Sequence, residues 1–155
     1  MIQPGSKAPE ISLSTAGGSR FTLEEALAGG AVLVVFYKVS CPTCQLAMPY
    51  VDRLASGGGL RVVGVSQNSG PHAAAFGRRF GVERIEPLID DESTGFAAAN
   101  AYGISHVPTS FLIEADGTVG RAWTGFSRAD LEAAGERAGV APFRSEDRVP
   151  ASKPG

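Results

Sequence analysis

The chain carries only two cysteines in 155 residues, too few for a disulfide framework, and they stand three positions apart, at Cys41 and Cys44. A bridge closing so short a loop removes little entropy from the unfolded chain, which argues against a stapling role. Histidine is scarce too: His72 and His106 are the sole further soft ligands, at spacings unlike a compact four-ligand zinc module. Neither sign of charge is in surplus. With 14 Lys and Arg against 16 Asp and Glu, and a pI near 5.7, there is no basic excess to attract nucleic acid or anionic lipid. No apolar run approaches the roughly 20 residues of a membrane span, so stable membrane insertion is not expected. Met1-Ile2-Gln3-Pro4-Gly5 has neither the charged start nor the apolar stretch of a signal peptide. The expected location is therefore cytoplasmic if Met1 is the native start, and periplasmic or otherwise extracytoplasmic if a signal segment was removed.

What remains is a soluble globular composition, 43% hydrophobic and 19% charged, of a length that fills one domain. The spacing assigns residues 1–141 to that domain and reads 142–155, polar and proline-containing, as a flexible tail. Ile11 to Leu13 alternates like an edge strand, and residues 21–27 read as a short helix capped by Thr22. Ala31 to Tyr37 is an unbroken, β-branched apolar run, as the centre of a largely parallel sheet requires. A helix follows, with Ala47, Tyr50, Val51 and Leu54 at helical spacing, and Pro49 is expected to interrupt and bend it. Further strands are expected over 60–66, 88–90, 110–114 and 118–124, the last two around an Asp116-Gly117 turn. Helices are expected over 71–80, 93–102 and from a Ser127 cap to about Gly139. The order is that of an α/β fold: a central mixed sheet with helices on both faces and one late antiparallel hairpin.

Cys41-Pro42-Thr43-Cys44 sits where the long strand hands over to its helix. With Cys41 as N-cap and Pro42 as the first helical residue, free N–H groups and the positive dipole end favour a thiolate on Cys41. Cys44 lies on the same helix face within bonding reach, as the more buried partner. The thiolate is the attacking form in disulfide exchange, so the expected cycle is attack by Cys41, a mixed disulfide, and release by Cys44. Lys38 could add positive potential or stand as a solvated charge at the strand end. Zinc is the alternative for the pair, and idle buried thiols another.

With the strand, the CxxC, Pro49 and Val107-Pro108-Thr109 in place, the sequence resembles the thioredoxin superfamily over about residues 4 to 138. The match extends to Phe36-Tyr37 and Gly125. Residues 5–9, the additional strand and helix within 85–102, and YGISHVPTSFLIEADGTV are similar to its redoxin branch, which holds TlpA-like disulfide reductases and peroxiredoxins. The resemblance implies a thioredoxin-like fold with an N-terminal extension and an inserted strand-helix. It also implies a cis Pro108 facing the cysteines, and a backbone role for Val107 in pairing with the substrate chain. The implied activity is thiol–disulfide exchange with protein substrates by Cys41 and Cys44, shaped by Pro42, Thr43, Val107 and Pro108. Lys38 and His106 are possible modulators. No cofactor beyond the Cys41–Cys44 disulfide and no metal is implied. An upstream thiol or electron donor would be a partner, and the chain is expected to be a monomer or weak dimer.

Two alternatives stand beside this reading. A peroxiredoxin needs Pro-x-x-x-Thr-x-x-Cys; counting back from Cys41 gives Lys38 and Val34, and from Cys44 gives Cys41 and Tyr37, so neither register fits. A non-catalytic redox-sensing or binding module stays open because the acids that relatives keep near the pair fall here at Val35 and Ala47. No carboxylate is then evident to take a proton from Cys44. Ser40 stands where relatives usually carry tryptophan.

Overall fold

The structure is a computed structural model that describes all 155 residues. Ser12–Ser14 (β1) and Arg20–Thr22 (β2) form a small antiparallel pair in which Leu13 meets Phe21, both buried. Phe21 is thus a strand residue rather than part of the expected helix. Leu23–Leu27 (α1) starts after it, with Thr22 Oγ1 accepting from Glu25 N–H at 3.3 Å as the cap. Val32–Tyr37 (β3) is the run VLVVFY, no residue of which is more than 2% exposed. Alternate side chains of a strand point to opposite faces, so Leu33, Val35 and Tyr37 enter one core while Val32, Val34 and Phe36 enter another. Full burial of each such side chain stabilises by about 1.5–3 kcal/mol, which fixes β3 as the sheet's centre.

Pro42–Leu54 (α2) packs over the first of these cores through Cys44, Ala47, Met48, Val51 and Leu54. The helix runs through Pro49 as far as Leu54. Proline removes a single N–H from the ladder, and the buried face on either side holds the two halves in one helix.

Arg61–Ser66 (β4) pairs parallel with β3, and Gly70–Phe80 (α3) leads on to Pro87–Ile89 (β5), parallel with β4. The single helix expected over 93–102 is divided. A 3-10 turn, Glu92–Thr94, is capped by Asp91 and ends at Gly95, and Phe96 is left-handed before Ala97–Tyr102 (α4). Asp90, fully buried, holds this junction together: its carboxylate accepts from Thr94 Oγ1 at 2.7 Å and from the N–H groups of Ala98 and Ala99 at 3.3 and 2.9 Å. Thr109–Ile113 (β6) and Val119–Thr124 (β7) form the hairpin around Asp116-Gly117, with Asp116 Oδ1 accepting from Thr118 N–H at 2.9 Å. The sheet order is β5-β4-β3-β6-β7. It is parallel on one side of β3 and antiparallel on the other, as the pattern predicts for a mixed sheet.

Phe126–Ser127 (β8) precedes Arg128–Ala138 (α5), which Ser127 caps by accepting from Asp130 N–H at 3.2 Å. Residues 142–155, expected as a loose tail, lie instead against the body. Phe143 places its ring 4.8 Å from that of Tyr50, and Arg53 bonds Asp147 at 2.7 Å. Ser152–Lys153 (β9) pairs antiparallel with β8. Two apolar residues, Phe143 and Val149, supply an attachment that the polar composition of the segment conceals.

Candidate active site

Beyond Tyr37 the chain leaves β3 and turns through Lys38-Val39-Ser40 into α2. Asn68, in the loop after β4, pins this turn by accepting from Val39 N–H through Oδ1 at 3.0 Å. Gln45 reaches back to the Val39 carbonyl, also at 3.0 Å. Cys41 is the extended N-cap residue: its Sγ accepts from Cys44 N–H at 3.1 Å, and its carbonyl accepts from Gln45 N–H at 3.0 Å. A helix start with Pro42 in its first turn therefore presents an N–H donor and the positive dipole end to one sulfur.

The two cysteines are free thiols in unlike surroundings. Cys41 is half-buried, and Cys44 has no exposed surface. Burial holds the Cys44 thiol well above the ordinary thiol range. The neighbouring Cys41 side chain adds to this, while the Lys38 main chain and the Lys38 charge pull the other way without cancelling it. Lys38 is exposed on the turn. Val35 and Ala47, 0% and 3% exposed, line the same core as Cys44 and carry no group able to accept a proton. The chain's two buried carboxylates are engaged elsewhere. Asp90 binds the start of α4, and Asp52 accepts from Arg84 N–H, Ile85 N–H and the Arg84 guanidinium at 2.9, 3.2 and 3.0 Å.

The loop before β6 closes the site. The Val107–Pro108 bond is cis, and the Cys41 thiol donates to the Val107 carbonyl at 3.4 Å. The Pro108 carbonyl accepts from Gly125 N–H at 2.7 Å, tying the loop to the end of the hairpin. Pro42 is exposed beside Cys41, whereas Thr43 is 4% exposed and donates through Oγ1 to the Pro154 carbonyl at 2.7 Å. His106 is exposed, with Nδ1 2.9 Å from Ser105 Oγ, and bonds neither cysteine. His72 stands at the start of α3 against Ser69. No group of three or more His, Cys, Asp or Glu side chains is arranged to hold a metal ion. Asn68 and the Thr43–Pro154 bond escaped the sequence reading: one rests on loop geometry, the other on contact between residues 111 positions apart.

Of the larger surface clefts, one of about 520 Å³ lies between α1 and the β6–β7 turn and touches neither cysteine. Of the two cysteines only Cys41 reaches the surface.

A mixed sheet whose central strand delivers a CxxC helix start to a cis-proline loop defines a thioredoxin-fold protein of the thiol–disulfide type. The Redoxin family model matches residues 3–134, and the chain belongs to that family. It is 30% identical over 128 residues to the thiol-disulfide oxidoreductase ResA of Geobacillus thermodenitrificans, a match spanning 80% of this chain and 71% of that protein. ResA of Bacillus subtilis is also 30% identical over 128 residues, 80% of this chain and 69% of the relative. Among solved structures, one from Chlorobium tepidum, provisionally named thiol:disulfide interchange protein DsbE, superposes with a TM-score of 0.74. Its identity to this chain is 27%, covering 88% of this chain and 96% of that one.

Proposed function

We propose that the protein is a thiol–disulfide oxidoreductase acting on protein disulfides, with Cys41 as nucleophile and Cys44 as resolving thiol. The observation that carries this is the asymmetry of the pair. The half-buried Cys41 sulfur takes an N–H donor at a helix start and lies 3.4 Å from the Val107 carbonyl, while Cys44 is sealed beneath it. Redoxin relatives named thiol-disulfide oxidoreductase support the same reading.

The chemistry balances without a further group. The Cys41 thiolate attacks one sulfur of the substrate disulfide; that bond breaks, and the first substrate thiolate leaves and takes a proton. Cys44 then loses its proton and attacks Cys41 Sγ, expelling the second substrate thiolate. Two electrons pass to the substrate, and the Cys41–Cys44 disulfide remains, to be reduced by an upstream thiol donor. Pro42, Thr43, Val107 and Pro108 shape the surface the substrate meets, and Lys38 modulates Cys44. His106, exposed and bonded to Ser105, is a further modulator. The pair is the sole redox group of this cycle, and no metal or other cofactor takes part. The protein works as a monomer or weak dimer. Cell fractionation with an antibody tests in which compartment it works.

Insulin-disulfide reduction, followed by turbidity, tests the activity. Wild type is expected to accelerate it and Cys41→Ser to abolish the acceleration; wild type no faster than Cys41→Ser would leave a non-catalytic redoxin module. Hydrogen peroxide with a thiol reductant in the same series is expected to give no rapid Cys41-dependent turnover.

A further inference from the structure

The strand β9 occupies ground next to the reactive sulfur. From its pairing with β8, where Lys153 stands opposite Phe126 and Ser152 opposite Ser127, the chain continues over Gly125 and Thr43 to Val107. Arg128 N–H donates to the Ala151 carbonyl at 2.9 Å, and Thr43 Oγ1 donates to the Pro154 carbonyl at 2.7 Å. Gly125 has φ +73°, and a Cβ there would run into the Lys153 carbonyl. A Cβ on Gly155 would run into the Val107 carbonyl, the same oxygen that accepts from the Cys41 thiol. The segment therefore lies against Thr43 and the Val107 carbonyl, two immediate neighbours of the Cys41 sulfur.

Its hold is of a particular kind. Residues 150–155 are all exposed, so their side chains bury little, and what fastens them is main-chain hydrogen bonding. Each such bond contributes modestly in net terms. Upstream, Phe143 against Tyr50 and Arg53 against Asp147 fix the start of the segment, which keeps its end at high effective concentration over the site. The segment carries no cysteine, so it covers the sulfur without being able to exchange with it. Main-chain pairing on a strand edge is also a mode by which any extended polypeptide can dock, irrespective of sequence.

We propose that residues 150–155 are a displaceable strap over the Cys41 flank, which a polypeptide disulfide must lift before it reacts and which a small disulfide can bypass. This rests on the thiol–disulfide reading of the cysteines, and the consequence is selection for extended chains that outcompete the strap for the β8 edge.

The test compares full-length wild type, Lys153→Pro and Lys153→Ala with two probes: a disulfide-linked dimer of a short unstructured peptide, and hydroxyethyl disulfide. Proline is excluded from a paired strand position, whereas alanine leaves the main chain intact. Lys153→Pro is expected to raise kcat/KM for the peptide by about three- to tenfold, the worth of one or two net hydrogen bonds. It should leave the small disulfide within about twofold, the precision on which selectivity is judged. Lys153→Ala should match wild type with both probes. Cys41-dependent turnover of the small disulfide with no rise for the peptide, or a fall, would overturn the strap and leave the oxidoreductase standing. No turnover of either probe by any of the three proteins would overturn the oxidoreductase reading itself. As an independent readout, the amide resonances of Ala151, Ser152 and Lys153 should move to random-coil positions when Cys44→Ser carries the peptide on Cys41; unmoved resonances would place the strap outside the substrate's path.

Discussion

The step most exposed to the surroundings of Cys44 is the resolution of the mixed disulfide, and its pH dependence follows from the structure. Cys44 must lose a proton to attack, yet it is fully buried, its thiol is held well above the ordinary range, and Val35 and Ala47 offer it no base. Raising a thiol's proton affinity tenfold removes tenfold of its thiolate but returns only about threefold in nucleophilicity, for a Brønsted slope of about 0.4–0.5. Each such tenfold therefore leaves the step about threefold slower at neutral pH. Since Cys44 stays protonated throughout, the resolving rate should climb about tenfold per pH unit from about pH 7 to 9.5 with no plateau near about 8.5, where an unperturbed thiol levels off. Stopped-flow mixing of the reduced protein with excess dithionitrobenzoate separates the two steps. The first release of chromophore reports attack by Cys41, and the second reports resolution by Cys44. A second phase that is flat above about pH 8.5, or independent of pH near 7, would refute the reasoning and require a proton acceptor that the buried environment does not contain.

The same burial should appear in stability. A group whose folded state binds its proton more tightly contributes fully below its unfolded value, about 8.5 for a thiol, and that contribution is lost as pH rises above it. Reduced wild type should therefore lose about 1 kcal/mol between about pH 8.5 and 9.5 in urea unfolding. Cys44→Ala should lose none of this component. Tyr37 and Tyr102 are also pushed upward by burial but begin nearer 10, so their contribution here is smaller and is common to both proteins. Coincident pH profiles for the two proteins would show that Cys44 is not buried as a thiol. Elsewhere, Asp52→Ala orphans the N–H groups of Arg84 and Ile85, at about 1–3 kcal/mol each. The Arg84 side chain, 54% exposed, regains water. The total expected loss is about 2–6 kcal/mol, with Asp52→Asn costing less than half of that because it retains one acceptor. A loss below about 1 kcal/mol for Asp52→Ala would mean that water satisfies those donors.

Much of this architecture was legible because its signals are local. VLVVFY has the length and branching of a central strand, Asp116-Gly117 supplies a hairpin turn, Ser127 and Thr22 announce helix starts, and Cys41-Pro42 marks the start of α2. The elements read differently depend on partners distant in sequence. Phe21 is a strand residue because Leu13 lies opposite it. Residues 93–102 break at Gly95 and Phe96 because the buried Asp90 carboxylate collects the free N–H groups of a later helix start. The segment from 142 onward looks unattached until Tyr50, Arg53 and Thr43 are brought beneath it. Within the site, spacing alone placed the two cysteines on one helix turn. Their unequal burial and the Val107 carbonyl beside Cys41 required the fold.

The most direct test of the central claim is where a substrate sulfur becomes attached. Cys44→Ser, incubated with a disulfide-linked peptide and read by intact mass with fragment mapping, should accumulate one peptide in mixed disulfide with Cys41. An adduct absent from Cys44→Ser, or formed equally in Cys41→Ser through Cys44, would contradict Cys41 as the nucleophile and Cys44 as the thiol that resolves it.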